Sequence, residues 1–338
     1  IRDLQMEYSI NALARKYPRK VKIEKIGLSY EGRHLNMVKV SLNPNTNNPV
    51  IFVDAGIHAR EWVAPAMAFF LMKHLVMNEH AELRGVDWYI MPIVNPDGYE
   101  YTRSHPNNRF WRKTRSQNGK CHGVDGNRNY GFKWGKIGAS SNKCSDNYAG
   151  PTAFSEPETT AIAKVMRQYK NRIKLYVSLH SYGDYLLIPW SYTADDAPPR
   201  EKHLRHLAEL AVNAVKMAGG PHMTTMRSGS WYPTGGGSDD YAFGAVGIPY
   251  AYTVELTEGN TLTAFAYPKE KLRAVLPKYY EAFKAFGKFI RKEFSRKILI
   301  QREKVRLFVN LYFNGNLRKC CTDFVFLSDT LDNFLFPG

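Results

Sequence analysis

Cysteine is scarce in this chain, four in 338 residues, and none of the four is spaced as C-x-x-C. That excludes the zinc ribbons and dithiol redox sites built on such pairs. Cys121 and Cys144 enclose a polar stretch rich in Gly, Asn and Ser. In an oxidising compartment they read as a disulfide stapling a long loop, in a reducing one as two ordinary thiols. Cys320 and Cys321 are adjacent, where a mutual bond is strained, so an intermolecular bridge or two free thiols are the open readings. Long apolar runs are missing too. The best, Ala66 to Met72, is a helix face, far short of the ~20 residues that span a bilayer. There is no internal repeat and no low-complexity segment. Acidic residues are the minority, 31 against 47 Lys and Arg, which leaves a net charge of +16. Such an excess suits an acidic partner: nucleic acid, glycosaminoglycan or anionic membrane. The basic residues are scattered, however. Arg112-Lys113-Thr114-Arg115 and Arg291-Lys292 are short groups, and the excess reads as solubilising surface. Nor are basic and aromatic residues interleaved as in nucleic-acid modules. The start, Ile1-Arg2-Asp3-Leu4, has neither an initiator Met nor a signal-like pattern, so a processed or trimmed end is expected.

What is present is ordinary globular material, 44% hydrophobic and 23% charged, enough for a sizeable core. Val21 to Leu42 alternates and turns at Glu31-Gly32, which predicts a hairpin. Pro49–Ile57, Val86–Val94, Ile173–Leu179 and Ile248–Leu256 read as buried strands. Val63–Met77, Ser155–Tyr169, Lys202–Ala218 and Lys269 to about Phe294 read as helices, with Gly219-Gly220 stopping the third. Asn95-Pro96-Asp97-Gly98 ends the second strand, and Gly98 to Pro151 is a long polar segment of the kind that carries function. The order predicts an α/β fold: a single domain with a mixed, mostly parallel twisted sheet covered by helices on both faces. Residues 295–338 break the pattern and are read as a C-terminal extension of unknown role.

In open α/β sheets ligands bind beyond the carboxyl ends of the strands. His58 and Glu61 follow one buried strand, His180 follows another, and Glu255 follows a third. The His58-x-x-Glu61 spacing lets one turn aim two ligands at one ion, with His180 as a third. Two imidazoles and a carboxylate suit zinc with an open fourth position. Glu255 is left as a carboxylate able to take a proton from bound water. A lone H-x-x-E is a weak signal, and its weight comes from co-location at strand ends.

At these residues the chain resembles the zinc metallocarboxypeptidases of the pancreatic carboxypeptidase A/B type. The resemblance is carried, in order, by GIHAREWVAP (Gly56–Pro65), PIVNPDGY (Pro92–Tyr99), NRFWRKTRS (Asn108–Ser116), GVDGNRNY (Gly123–Tyr130), LHSYG (Leu179–Gly183), YPTGGGSDDYA (Tyr232–Ala242) and TVELTEG (Thr253–Gly259). It covers about residues 1–294, a whole catalytic domain. It implies a secreted, extracellular exopeptidase with one zinc on His58, Glu61 and His180, and with Glu255 as general base toward a zinc-bound water. By the same resemblance Asp125 orients His58, and Arg112 stabilises the oxyanion. Asn127, Arg128 and Tyr232 clamp the substrate's C-terminal carboxylate, Arg60 belongs to the neighbouring subsite, and Tyr182 is a further substrate-binding residue. Cys121 and Cys144 correspond to a family disulfide. Asp239, with Ser191, sits at the base of the side-chain pocket as in B-type enzymes that remove Lys and Arg. Arg227 departs from the pattern. If its guanidinium reached Asp239 the pocket would be neutralised and the preference broadened. The partners implied are peptide and protein C-termini, an N-terminal propeptide in the precursor and proteinaceous carboxypeptidase inhibitors, with no nucleic acid or membrane and a monomeric state. A non-catalytic polyanion-binding protein on the same fold is the competing class, but no ligand position and no Glu255 has been lost.

Overall fold

The computed structural model describes residues 3–43, 47–78, 83–259 and 261–295. The chain divides into two units, 1–292 and 293–338. The extension expected over 295–338, with Cys320 and Cys321, lies outside the described residues save for position 295.

Helix α1 (Asp3–Lys16) precedes the strands β1 (Val21–Leu28) and β2 (His34–Ser41). Then come β3 (Val50–Ala55), α2 (Val63–Met77), β4 (Asp87–Met91), α3 (Pro96–Ser104) and a minimal hairpin, β5 (Gln117–Asn118) with β6 (Cys121–His122). Helix α4 (Pro157–Gln168), β7 (Ile173–Ser181), β8 (Tyr185–Ile188), α5 (Glu201–Met217) and β9 (Thr224–Arg227) follow. The short α6 (Ser228–Trp231) and α7 (Ser238–Asp240), β10 (Tyr250–Leu256) and α8 (Lys269–Ile290) complete the described α-helices and strands.

Eight strands form one sheet in the order β1-β2-β4-β3-β7-β10-β8-β9. Its centre, β4-β3-β7-β10, is parallel, and the β1-β2 hairpin and β8 enter antiparallel. A parallel sheet covered on both faces needs strands that are apolar throughout, and β3 and β10 are buried at every position. Phe52, Tyr89 and Tyr176 pack with Ile162 and Met166 of α4 in one core cluster. Helix α8 packs against α2 and α5, which themselves pack onto the strands. No helix among the described residues is long and apolar enough to cross a membrane.

Two elements departed from expectation. Asn95-Pro96-Asp97-Gly98, read as the end of a strand leading into a long polar segment, opens α3: the Asn95 side chain accepts from the Gly98 N–H at 2.8 Å, and Pro96 occupies the first turn. An Asn cap followed by Pro is a helix start, which the polar composition had masked. Strand β7 also runs further than predicted, to Ser181, so that His180 lies within it.

Candidate active site

The site forms where three central strands end. β3 stops at Ala55, and Gly56 turns the chain with φ of +70°, a conformation that costs glycine little. A side chain there would also press on Pro65. The turn delivers His58, and Glu61 follows half a residue short of a full helical pitch later, just before α2. His180 and Glu255 arrive together, because they are direct partners in the parallel register of β7 and β10. Adjacent registered residues project from the same face, so this pairing sets the carboxylate beside the imidazole.

His58, Glu61 and His180 are buried, and each offers a ligand atom within 4.8 Å of the others. His58 Nδ1 stands 2.8 Å from Glu61 Oε1, and His180 Nδ1 stands 3.1 Å from both Glu61 Oε2 and His58 Nδ1. The outer nitrogens are committed elsewhere. His58 Nε2 faces Asp125 Oδ1 at 2.9 Å, and His180 Nε2 faces Ser178 Oγ at 3.1 Å. Ser178 donates its own proton to Asp54, which leaves its oxygen free to accept from His180. With Nε2–H donating on both rings, two Nδ1 lone pairs and a carboxylate converge on one point, an arrangement that only a cation satisfies. The spacings approach the ~3.3 Å edge of a tetrahedron with zinc–nitrogen bonds of about 2.0–2.1 Å. The three residues therefore fit zinc.

The electrostatics agree. Burial works against a charge on His180, yet Glu61, with Glu255 and Asp54, holds its pKa up to about 9. Burial is likewise outweighed at Glu61, which His58 and His180 hold well below the usual carboxylate range. The pocket thus demands positive charge. Burial pushes Glu255 up to about 8, with Glu61 acting the same way and His180, Arg112 and Arg128 against it. A zinc charge nearby pulls in the lowering direction, toward the neutral range that suits a general base. Asp125 is held low despite burial, chiefly by Arg112 and His58.

Arg112 places Nε and Nη2 on Asp125 Oδ2 at 3.1 and 2.9 Å, while its Nη1 lies 3.7 Å from Glu61. Asp125 also caps the turn that carries Asn127 and Arg128 by accepting the Asn127 N–H. Asn127 Oδ1 accepts from Ser238 N, and Arg128 donates to the carbonyls of Gly138 and Asn127. Neither the Asn127 amide nitrogen nor Arg128 Nη2 has a protein partner among the described residues. Both residues line a 230 Å³ cavity shared with the three ligands, Arg60, Arg112, Tyr182, Tyr232 and Glu255. Tyr232 keeps 46% of its surface exposed at the rim. The bond between Cys121 and Cys144 closes the loop that carries the Asp125–Arg128 turn.

Asp239 and Ser191 are not among the residues that line that cavity. Ser191 donates to Asp239 Oδ2 at 2.7 Å, and Asp239 is 1% exposed. Gly237 joins this pair to the cavity: a side chain there would strike Asp239 Oδ1 and reach toward Asn127. Asp240, beside Asp239, has its carboxyl pushed well up by burial and by the Asp239 charge. Arg227 does not provide a counter-charge. It donates to the Asp196 carbonyl and sits 3.8 Å from Glu201, which draws the guanidinium to another partner, so the neutralised pocket considered for it is not the arrangement adopted.

Sequence reading missed Asp54, Ser178, Trp231 and Phe265. Asp54 had a signal, a lone carboxylate in the apolar run of β3, and it is what steers His180 through Ser178. Trp231 and Phe265 wall the cavity from irregular segments, where no periodicity marks them.

Residues 6–282 match the family model for zinc carboxypeptidases, so the chain belongs to that family. It is 38% identical over 296 residues to carboxypeptidase B of Astacus astacus, covering 85% of this chain and 95% of that one. It is 40% identical over 277 residues to zinc carboxypeptidase A 1 of Drosophila melanogaster, covering 78% of this chain and 63% of that protein. Among solved structures it resembles bovine thrombin-activatable fibrinolysis inhibitor in complex with tick carboxypeptidase inhibitor. The TM-score is 0.80 at 34% identity, over 86% of this chain and 97% of that one. This is a peptide-hydrolysing zinc enzyme by family and by metal site.

Proposed function

We propose that residues 1–294 act as a secreted exopeptidase that removes the last residue of peptides and proteins, preferring Lys and Arg. The preference is carried by one observation, the buried Asp239 whose neighbour is a second carboxyl and whose only hydrogen-bond partner among the described residues is a serine. A buried carboxylate without a cation is costly, and a substrate ammonium or guanidinium relieves it. Neutral side chains leave it unpaired, which is how a polar pocket discriminates.

Zinc held by His58, Glu61 and His180 supplies Lewis acidity that polarises a carbonyl and acidifies water. Arg128 and the Asn127 amide take the terminal carboxylate, with Tyr232 closing from the rim; a guanidinium is suited to that task. Only a chain end can place a carboxylate there, which makes the enzyme an exopeptidase. Glu255 accepts a proton from the attacking water and returns it to the leaving amine. Arg112, steadied on Asp125, offers Nη1 to the developing oxyanion. Asp125 in turn fixes the His58 tautomer.

Secretion is supported by the Cys121–Cys144 bond, since such bonds persist in oxidising compartments. Proteinaceous inhibitors are supported as partners by the inhibitor seated on the bovine neighbour. The propeptide and the monomeric state rest on the family resemblance. The decisive assay is kcat/KM on peptides identical but for a final Lys, Arg, Phe, Leu or Glu. Lys and Arg should lead by at least about 10-fold. A Leu- or Glu-ended peptide equal to the Lys-ended one would overturn the preference.

A further inference from the structure

Phe265 walls the catalytic cavity on one side and a second hollow on the other. It is held in place firmly. Arg60 stacks on its ring at 4.6 Å, and Arg109 donates to the carbonyls of both Arg60 and Phe265. The second hollow has a volume of 670 Å³ and is walled by α2, by α8 and by the segment around Phe265. Its apolar wall includes Trp62, Phe69, Phe70 and Leu272. Its charged lining is of one sign, with five Lys or Arg and no Asp or Glu. Arg103 and Arg109 lie over the Trp62 ring. Lys73, Lys269 and Arg273 are exposed and have no acidic partner among the described residues.

We propose that this groove is an exosite for the stretch of substrate upstream of the scissile bond, and that it selects stretches in which acidic residues alternate with bulky apolar ones. The proposal rests on the reading of the adjoining cavity as the peptidase site. A chain whose terminal carboxylate is held at Arg128 leaves the cavity along its walls, and Phe265 is the wall that the cavity and the groove share. Leu or Phe side chains fill the apolar floor, and Asp or Glu meet the three unpaired cations. A basic stretch is repelled. The same charge disfavours a second copy of this chain as occupant, because each copy carries +16.

The test uses the full chain and four synthetic substrates. One is an N-acyl dipeptide ending in Arg. Three are decapeptides sharing their last three residues, with upstream stretches of Glu and Leu, of Lys and Leu, or of Ser and Gly. At low salt the Glu/Leu peptide should exceed the Ser/Gly peptide by about 10-fold in kcat/KM, carried by KM, with Lys/Leu lowest. The advantage should shrink at 0.5 M salt. The double variant Lys73→Glu/Arg273→Glu should invert the ranking and leave dipeptide hydrolysis unchanged. Equal values for the three decapeptides, with the dipeptide still hydrolysed, overturn the exosite alone. A ranking that survives the charge reversal overturns it as well. A concentration-dependent dimer in sedimentation, abolished by the same variant, would assign the groove to self-association instead. Failure to hydrolyse the dipeptide sinks the peptidase reading and the exosite with it.

Discussion

Glu255 and His180 face each other across two strands, and the chemistry turns on that register. If Glu255 moves the proton, Glu255→Gln should keep its place and its neighbours while losing basicity. We expect kcat to fall by about 10²–10⁴-fold with zinc content unchanged, checked by steady-state assay and metal analysis. Asp239 carries a different burden, holding charge rather than moving a proton. Asp239→Asn retains the shape and an acceptor for Ser191 but removes the charge. Activity on Arg-ended peptides should drop by about 10- to 1000-fold, roughly 1.5–4 kcal/mol for one charge-assisted contact, while Leu-ended peptides hold level or improve. An equal loss on both substrates would show that Asp239 supports the fold and not the preference.

The metal ligands come from two elements, the turn after β3 and the end of β7. An ion bound there joins them in the native state only, so chelation should lower the melting temperature by at least ~5 °C and added zinc should restore it. Calorimetry with and without chelator makes the check. Elements also explain what could be read in advance. The long apolar runs of β3, β7 and β10 marked a covered sheet, and the ends of those runs marked His58, Glu61, His180 and Glu255. Helix α2 was predicted at its observed bounds because its apolar residues recur with helical spacing. The hidden parts lacked period. α3 began in a string that equally suits a turn, and α1 carries too few apolar residues to stand out, with Met6 and Ile10 its buried anchors. The pocket wall at Trp231 and Phe265 is assembled from segments that only the tertiary fold brings together. Arg227 shows the converse limit. Its position near the pocket loop was legible, but its direction depended on Glu201, which the fold brings near it.

For the molecule as a whole, a buried group outside the metal-ligand set shapes stability against pH. Glu158 on α4 is fully buried, with Oε1 accepting the Tyr30 N–H from the turn after β1 and Oε2 lacking a hydrogen-bond partner. Burial, with the nearby charges of Glu156 and Asp97, pushes its pKa from 4.5 to about 8. Between those values the folded chain keeps a proton that the unfolded chain has released. Folding therefore takes up a proton, and the stability tied to this group declines as pH rises from about 4.5 to about 8. Below that window the carboxyl is neutral in both states, and above it the full penalty of a buried charge applies. Glu158→Gln stays neutral throughout and can still accept from Tyr30. It should match the wild type near pH 5 and gain steadily toward pH 8, by up to roughly 3–5 kcal/mol at ~1.4 kcal/mol per unit. Denaturant midpoints at pH 5, 6.5 and 8 measure the trend. A constant difference between variant and wild type across the three would mean that Glu158 ionises alike in both states, and the decline would then have to come from other groups.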